Sequence, residues 1–123
     1  MAVKTENSIS LVHEVLVFCL CAQWCGVCRD YTAEFKRAQS TFGRARFIWI
    51  DVEDQADLVD TVDIDNFPTL LVTISGMPVF FGSITPRYDS VVRLLEARLA
   101  EPARHQLTQP EIVALSARLE KAI

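Results

Sequence analysis

Four cysteines lie within ten positions of this 123-residue sequence, in the stretch FCLCAQWCGVC. They are Cys19, Cys21, Cys25 and Cys28. Thiolates attack disulfides and bind soft metal ions, so this cluster could carry redox or metal chemistry. Clustered cysteines in a cytosolic protein are more often catalytic or metal-binding than structural, because cytosolic reductants keep ordinary thiols reduced. We therefore expect the cluster to be functional.

The cysteines fall on two predicted elements. Val15 to Cys21 (VLVFCLC) is continuously apolar and rich in β-favouring residues, which predicts a strand buried on both faces. Cys19 and Cys21 share one face of that strand and are expected to pack as small apolar groups. After CGVC, apolar residues at helical spacing predict a helix that Gly43 can end. They are Tyr31, Phe35, Ala38 and Phe42.

Cys25 and Cys28 lie where the predicted strand gives way to the helix, and Gly26 permits a tight approach between them. A helix N-terminus presents unpaired N–H groups and positive potential, which stabilise a thiolate. Cys25, the first of the pair, gains most from this. Cys28 is one helical turn away, close enough for its sulfur to attack a mixed disulfide on Cys25.

Three further strands are predicted. FIWIDV (Phe47 to Val52) follows the first helix and completes a right-handed unit with two parallel strands. TLLVTIS (Thr69 to Ser75) and PVFF (Pro78 to Phe81) predict an antiparallel hairpin around Gly76-Met77. The sheet is therefore expected to be mixed.

Two helices are predicted after the hairpin. Thr85 and Pro86 supply a hydroxyl cap and a first-turn proline for one of them. The spacing from Thr108 to Glu111 is that of a capping box for the other. The two apolar faces are Tyr88, Val91, Val92, Leu95 and Leu99 in the first helix, and Ile112, Leu115 and Leu119 in the second.

The composition indicates one α/β domain, because 123 residues with 50% hydrophobic content can bury a core. We expect a single domain over residues 1–123, with a core at about 12–100 and a helical extension at about 106–123. A net charge of −4 does not favour nucleic acid as a partner. The apolar run from Val15 to Ala22 is shorter than the roughly 20 residues of a membrane-spanning helix. Glu6 and Glu14 do not fit the basic flank of a signal peptide, so we expect a cytoplasmic protein.

The motif Trp24-Cys25-Gly26-Val27-Cys28-Arg29 resembles the signature of the thioredoxin family. Forty residues after Cys28, Asn66-Phe67-Pro68-Thr69 looks like the cis-proline loop of that family, and a hairpin with Gly76 and Gly82 follows in family order. The resemblance covers roughly residues 12 to 100. It implies a thioredoxin-like fold with a mixed central β-sheet flanked by helices, a shortened N-terminal region and an extra C-terminal helix.

The resemblance implies a thiol–disulfide oxidoreductase that acts on protein or peptide disulfides and draws on an unidentified thiol reductant or reductase. Cys25 would be the attacking nucleophile and Cys28 the resolving cysteine. Pro68 would form a cis bond that turns the Phe67 backbone toward a substrate strand. Trp24, Val27, Phe67 and the Phe81-Gly82-Ser83 segment would form an apolar rim around Cys25. No cofactor or metal is implied, and we expect a monomer.

Three positions depart from the family pattern. Thioredoxin has a buried aspartate six residues before the first active cysteine and a buried lysine that pairs with it. Cys19 and Trp49 occupy those places here. The dipeptide between the active cysteines is Gly-Val where thioredoxin has Gly-Pro. The resemblance therefore leaves the acid–base helper, the reduction potential and the direction of electron flow undetermined.

Two alternatives remain from the sequence. Four thiolates could bind zinc or an iron–sulfur cluster, although a C-x-C within a buried strand does not easily meet a C-x-x-C tetrahedrally. The fold could instead serve as a non-catalytic docking module whose C-terminal helix binds a partner or a second copy. The acidic run from Asp51 to Asp65 is interpreted as a solvated surface. His13 and His105 are assigned no role.

Overall fold

The computed structural model describes residues 15–22, 26–43, 45–59, 68–85 and 87–123, apart from the side chains of residues 27–29 and 58. In chain order the elements are β1 (Val15–Cys21), α1 (Gly26–Thr41), β2 (Arg46–Asp51), α2 (Ala56–Val59), β3 (Thr69–Ile74), β4 (Met77–Ser83), α3 (Tyr88–Ala100), a 3-10 helix (Pro102–His105) and α4 (Pro110–Ala122). Every strand and long helix predicted from the sequence is present, with ends displaced by at most a few residues.

The four strands form one mixed sheet in the order β2-β1-β3-β4. β1 runs parallel to β2 and antiparallel to β3, and β3 pairs antiparallel with β4. The parallel pair is joined through α1, as the sequence predicts. The mixed sheet flanked by helices is therefore confirmed.

β1 is buried on both faces and separates two apolar clusters. Val17, Cys19 and Cys21 face the cluster that α1 and α3 cover, whereas Phe18 and Leu20 face the cluster that α4 covers. Alternation along the strand sends successive side chains to opposite faces. The covering residues of α1 and α3 are Tyr31, Phe35, Ala38, Val91 and Leu95, and those of α4 are Ile112, Leu115 and Leu119.

The hairpin turn lies one residue earlier than predicted, at Ser75 and Gly76. Both residues have positive φ, 53° and 80° respectively. A two-residue turn with positive φ at both central positions matches the twist of the strands that it joins. Met77, expected in the turn, instead begins β4 and pairs with Ile74.

Both predicted helix caps are wrong. α3 begins at Tyr88 with Arg87 in the N-cap position, so Thr85 lies too early to cap it. The Tyr88 N–H instead donates to Glu34 Oε1 of α1 at 2.6 Å, so a carboxylate from another helix satisfies that end. α4 begins at Pro110 with Gln109 as its N-cap and no side-chain cap hydrogen bond. The box from Thr108 to Glu111 is therefore out of register by one residue.

The C-terminal extension packs on the sheet of its own chain. Leu115 and Leu119 are fully buried, and Thr73 Oγ1 of β3 donates to Glu120 Oε2 at 3.2 Å. The Leu107 N–H donates to the Pro78 carbonyl at 2.8 Å, which fastens the connecting segment to β4. None of the helices within the described ranges has both the length and the apolarity needed to cross a membrane.

Candidate functional site

The CGVC motif spans the start of α1. β1 ends at Cys21, and α1 begins at Gly26, which is exposed to solvent. Cys28 lies in the first turn of this helix. The expected strand-to-helix junction is therefore present. Trp24, Cys25 and Phe67, and the side chains of Val27 and Cys28, lie outside the described residues, so the roles predicted for them stay predictions.

Pro68 and Gly82 lie at the end of the sheet where β1 finishes. Leu20 pairs with Thr69, and Leu70 pairs with Gly82, so both predicted support residues are level with the end of β1. Pro68 is buried, and its carbonyl accepts a hydrogen bond from the Ile84 N–H at 3.3 Å. The fold thus brings Pro68 and the second hairpin strand to the end of the sheet at which α1 starts.

Gly82 is not required by steric crowding. A methyl group at this position would meet the Phe80 ring at 3.5 Å, which is an ordinary van der Waals distance. Its backbone φ is not in the left-handed region that favours glycine. The predicted place of Gly82 in a substrate rim therefore depends on its position at this end of the sheet alone.

Cys19 and Cys21 lie side by side, with their Sγ atoms 3.8 Å apart. Both are fully buried on the same face of β1, as predicted. Cys19 is a free thiol, whereas Cys21 is disulfide-bonded. The expectation that Cys21 only packs as an apolar group is therefore wrong. Burial raises the pKa of the Cys19 thiol far above its ordinary value.

Tyr31 lies beside Cys19 in an environment that the sequence analysis did not anticipate. It is fully buried, and its hydroxyl has no hydrogen-bond partner within the described part of the chain. Burial raises the pKa of this phenol, and the neighbouring Cys19 and Glu34 raise it further. The signal was available, because Tyr31 lies three residues after Cys28 and so shares its helix face.

Two of the departures from the family pattern, Cys19 and Trp49, lie opposite each other. Cys19 of β1 and Trp49 of β2 are register partners on neighbouring parallel strands. The Trp49 ring packs edge-on against Phe35 at a centroid distance of 5.5 Å and is 36% exposed. A neutral thiol and an indole therefore occupy the two positions that the resemblance gives to an acid and its cation.

The metal-site alternative requires several thiolates at one point. In the described residues, no three His, Cys, Asp or Glu side chains form a group that could hold a metal ion. Cys21 is engaged in a disulfide and does not present a thiolate. His105 lies in the 3-10 helix, whereas His13 lies outside the described residues.

Comparisons with known proteins agree with this architecture. The Thioredoxin family model matches residues 3–92. The chain is 34% identical over 56 residues to thioredoxin of Mycoplasma genitalium, covering 46% of this chain and 55% of that protein. It is 31% identical over 93 residues to protein disulfide isomerase-like 1-3 of Arabidopsis thaliana, covering 73% of this chain and 16% of that protein. The chain thus spans about half of the first relative and less than a fifth of the second.

A solved structure supports the same fold. Thioredoxin of Fasciola hepatica superimposes with a TM-score of 0.62 at 20% identity, covering 78% of this chain and 92% of that one. At this identity the likeness concerns the fold alone. The family match, however, extends over most of the chain and includes the strand-to-helix junction with its CGVC motif. The chain therefore belongs to the thioredoxin family.

Proposed function

We propose that this protein is a thiol–disulfide oxidoreductase that exchanges electrons with protein or peptide disulfides through Cys25 and Cys28. The observation that carries the proposal is the position of CGVC at the start of α1, directly after the central strand of a thioredoxin fold. Cys25 precedes the first helical residue, and Cys28 lies in the first turn. Cysteines placed at a helix N-terminus ionise more readily than ordinary thiols.

The electrostatics of α1 fit a thiolate at this end. The first turn contains no acidic residue, so no carboxylate opposes the positive end of the helix dipole. The Cys25 thiolate attacks one sulfur of the substrate disulfide, and the other substrate sulfur leaves as a thiolate. Cys28 then attacks the Cys25 sulfur of the mixed disulfide and releases the second substrate thiol. The substrate gains two electrons, and the cysteine pair loses two.

The proposal requires an electron source. An unidentified thiol reductant or reductase would return the oxidised pair to the dithiol form, and no cofactor is needed for the exchange itself. Pro68, Gly82 and the rim residues Trp24, Val27 and Phe67 would receive an extended substrate segment. We further propose a monomer in the cytoplasm.

The alternative of a non-catalytic docking module requires the apolar stripe of the C-terminal helix to be available for a partner. Ile112, Leu115 and Leu119 instead pack against the sheet of the same chain. Among the described residues, no other apolar face of comparable size stands out, because the exposed large apolar side chains are separate positions: Trp49, Val113 and Ile123.

Reduction of insulin disulfides by dithiothreitol tests the proposal. The full chain should accelerate the reaction, whereas Cys25→Ser should abolish turnover. Cys28→Ser should retain attack and accumulate mixed disulfides, which a non-reducing gel separates and which disappear on a reducing gel. Equal turnover by wild type and Cys25→Ser would overturn the enzyme proposal. Alkylation of Cys25 at mildly acidic pH gives an independent measure of its thiolate character.

A further inference from the structure

We propose that Cys21 is a third redox-active sulfur of this site, which competes with Cys25 for Cys28 and forms a Cys21–Cys28 disulfide. The inference rests on the proposed function, since it adds a second partner to the resolving cysteine. It assigns the site an oxidised form that contains no Cys25–Cys28 disulfide.

The first observation is the chemical state of Cys21. Its sulfur is disulfide-bonded, whereas the adjacent Cys19 is a free thiol. The sequence contains four cysteines, so a partner within the chain is one of the two CGVC cysteines. Cys21 therefore forms a covalent bond in addition to packing in the core.

The second observation identifies which motif cysteine the fold brings to Cys21. Tyr31, Phe35 and Ala38 of α1 pack in the same cluster as Cys19 and Cys21. Position 28 precedes Tyr31 by three residues and lies on the same face of the helix. This face of α1 packs against the face of β1 that carries Cys19 and Cys21. By helical spacing, position 28 is thus the motif position on the face of α1 that packs against this side of β1.

The exchange conserves electrons and atoms. Starting from the Cys25–Cys28 disulfide, the Cys21 thiolate attacks the Cys28 sulfur, the Cys21–Cys28 bond forms, and Cys25 leaves as a thiolate. The proton lost by Cys21 balances the one that Cys25 takes up. No oxidant is consumed. The product keeps the nucleophile reduced but holds the resolving sulfur in a disulfide with the buried Cys21.

Cys19 acts on this exchange as a positioning residue. A disulfide sulfur carries no proton, so across the 3.8 Å contact the Cys19 S–H is the donor and Cys21 Sγ the acceptor. A thiol sulfur can both accept a hydrogen bond from the Cys19 thiol and donate one to it, whereas a disulfide sulfur can only accept. Cys19 therefore favours the reduced Cys21 thiol and shifts the balance toward the Cys25–Cys28 pair. The buried Cys19 thiol keeps its proton at neutral pH for this role.

Peptide mapping of the full chain tests the pairing directly. The protein is equilibrated in glutathione buffers of stepped ratio, quenched with N-ethylmaleimide and cut with chymotrypsin. Cleavage after Leu20, Trp24 and Tyr31 separates CAQW, which contains Cys21, from CGVCRDY, which contains Cys25 and Cys28. We expect CAQW linked to CGVCRDY through Cys28, with the maleimide on Cys25. CGVCRDY closed on itself at every ratio, or a link through Cys25, would overturn the inference.

Variants separate this inference from the proposed function. Cys25→Ser removes the competing pair, so the Cys21–Cys28 link should rise to nearly all of the oxidised protein. Its absence in that variant would sink the inference even if Cys21→Ser failed to fold. A Cys25–Cys28 loop in wild type without any Cys21 link would leave the proposed function intact. Both motif cysteines alkylated at every ratio would overturn both proposals.

The role of Cys19 has its own readout in the same experiment. Cys19→Ala should enlarge the Cys21-linked fraction at a fixed glutathione ratio, because the donor is lost. Cys19→Ser keeps a donor and should return the fraction toward the wild-type value. Equal shifts in both variants would assign the effect to packing and remove Cys19 from the proposal.

Discussion

Thr73 of β3 donates its hydroxyl hydrogen bond to Glu120 of α4 across 3.2 Å. Thr73 is fully buried, and the bond lies on the sheet face that α4 covers. A threonine in the middle of a buried strand needs a partner for its hydroxyl, and the last turn of α4 supplies one. The helix is therefore joined to the sheet by polar as well as apolar contacts.

Leu115→Ala should destabilise the protein, because the fully buried side chain fills the space between α4 and the sheet. Leucine-to-alanine changes in cores cost about 2–5 kcal/mol of unfolding free energy. Val113→Ala, on the same helix but 44% exposed, is the matched control and should change stability by less than about 0.5 kcal/mol. Urea unfolding of both variants checks this. Equal losses would mean that α4 is not docked as described.

Tyr31→Phe should raise the unfolding free energy by about 1 kcal/mol, because it removes a buried hydroxyl that has no partner among the described residues. The ring contact with Phe35, at a centroid distance of 5.6 Å, is retained. Tyr88→Phe is the control with the opposite sign. Its hydroxyl pairs with Thr41 Oγ1 at 2.7 Å, so that change should lower stability by about 0.5–1.5 kcal/mol. Thermal and urea unfolding both measure the difference, and a loss in both variants would contradict it.

Stability should fall at alkaline pH because of Cys19. Burial raises the pKa of this thiol above its ordinary value of 9.0, so the folded state keeps the proton while the unfolded chain releases it. The unfolded state then binds fewer protons, and the unfolding free energy declines as pH rises through about 9. One group contributes a slope that approaches about 1.4 kcal/mol per pH unit only above its unfolded pKa. Between about pH 8 and about pH 10 the wild type should therefore lose about 1.4 kcal/mol of unfolding free energy through Cys19, and Cys19→Ala should lose less. Identical slopes would refute the assignment.

Cys19→Asp should speed resolution of the mixed disulfide at neutral pH, because a carboxylate can take the Cys28 proton more readily than a buried neutral thiol. The same change should destabilise the fold by roughly 1 to 3 kcal/mol or more. Trp49 lies opposite Cys19 and offers no cation to a new carboxylate. Stopped-flow rates of wild type, Cys19→Asp and Cys19→Ala give the comparison. If Cys19→Ala were as inactive as Cys25→Ser, Cys19 would itself be a redox sulfur.

The fold was largely predictable because hydrophobic periodicity records burial. VLVFCLC is apolar at every position, and β1 is indeed covered on both faces. The helix ends were not predictable in the same way. Glu34 caps α3 from another helix, and a contact between residues 54 positions apart leaves no local pattern in the sequence.

The site was predictable only in its outline. The junction between β1 and α1 follows from the composition of Val15 to Cys21 and the CGVC motif, and it is present. The disulfide state of Cys21 was not, because strand alternation indicates the face of a side chain but not the sulfur that meets it. The unpartnered hydroxyl of Tyr31 was not predictable either, since an aromatic residue at helical spacing is typical of ordinary core packing.

Val79 is the extra residue of a bulge in β4, since Thr73 pairs with Pro78 and Val72 pairs with Phe80. The Pro78 carbonyl accepts a hydrogen bond from the Leu107 N–H at 2.8 Å. The Val79 carbonyl accepts one from Arg98 Nε at 3.0 Å. β4 ends the described sheet, so these groups would otherwise form an open template for strand addition by another chain. We therefore expect these two contacts to protect the β4 edge against edge-to-edge association. Arg98→Ala should reveal this as concentration-dependent association in sedimentation velocity, before any loss of redox activity.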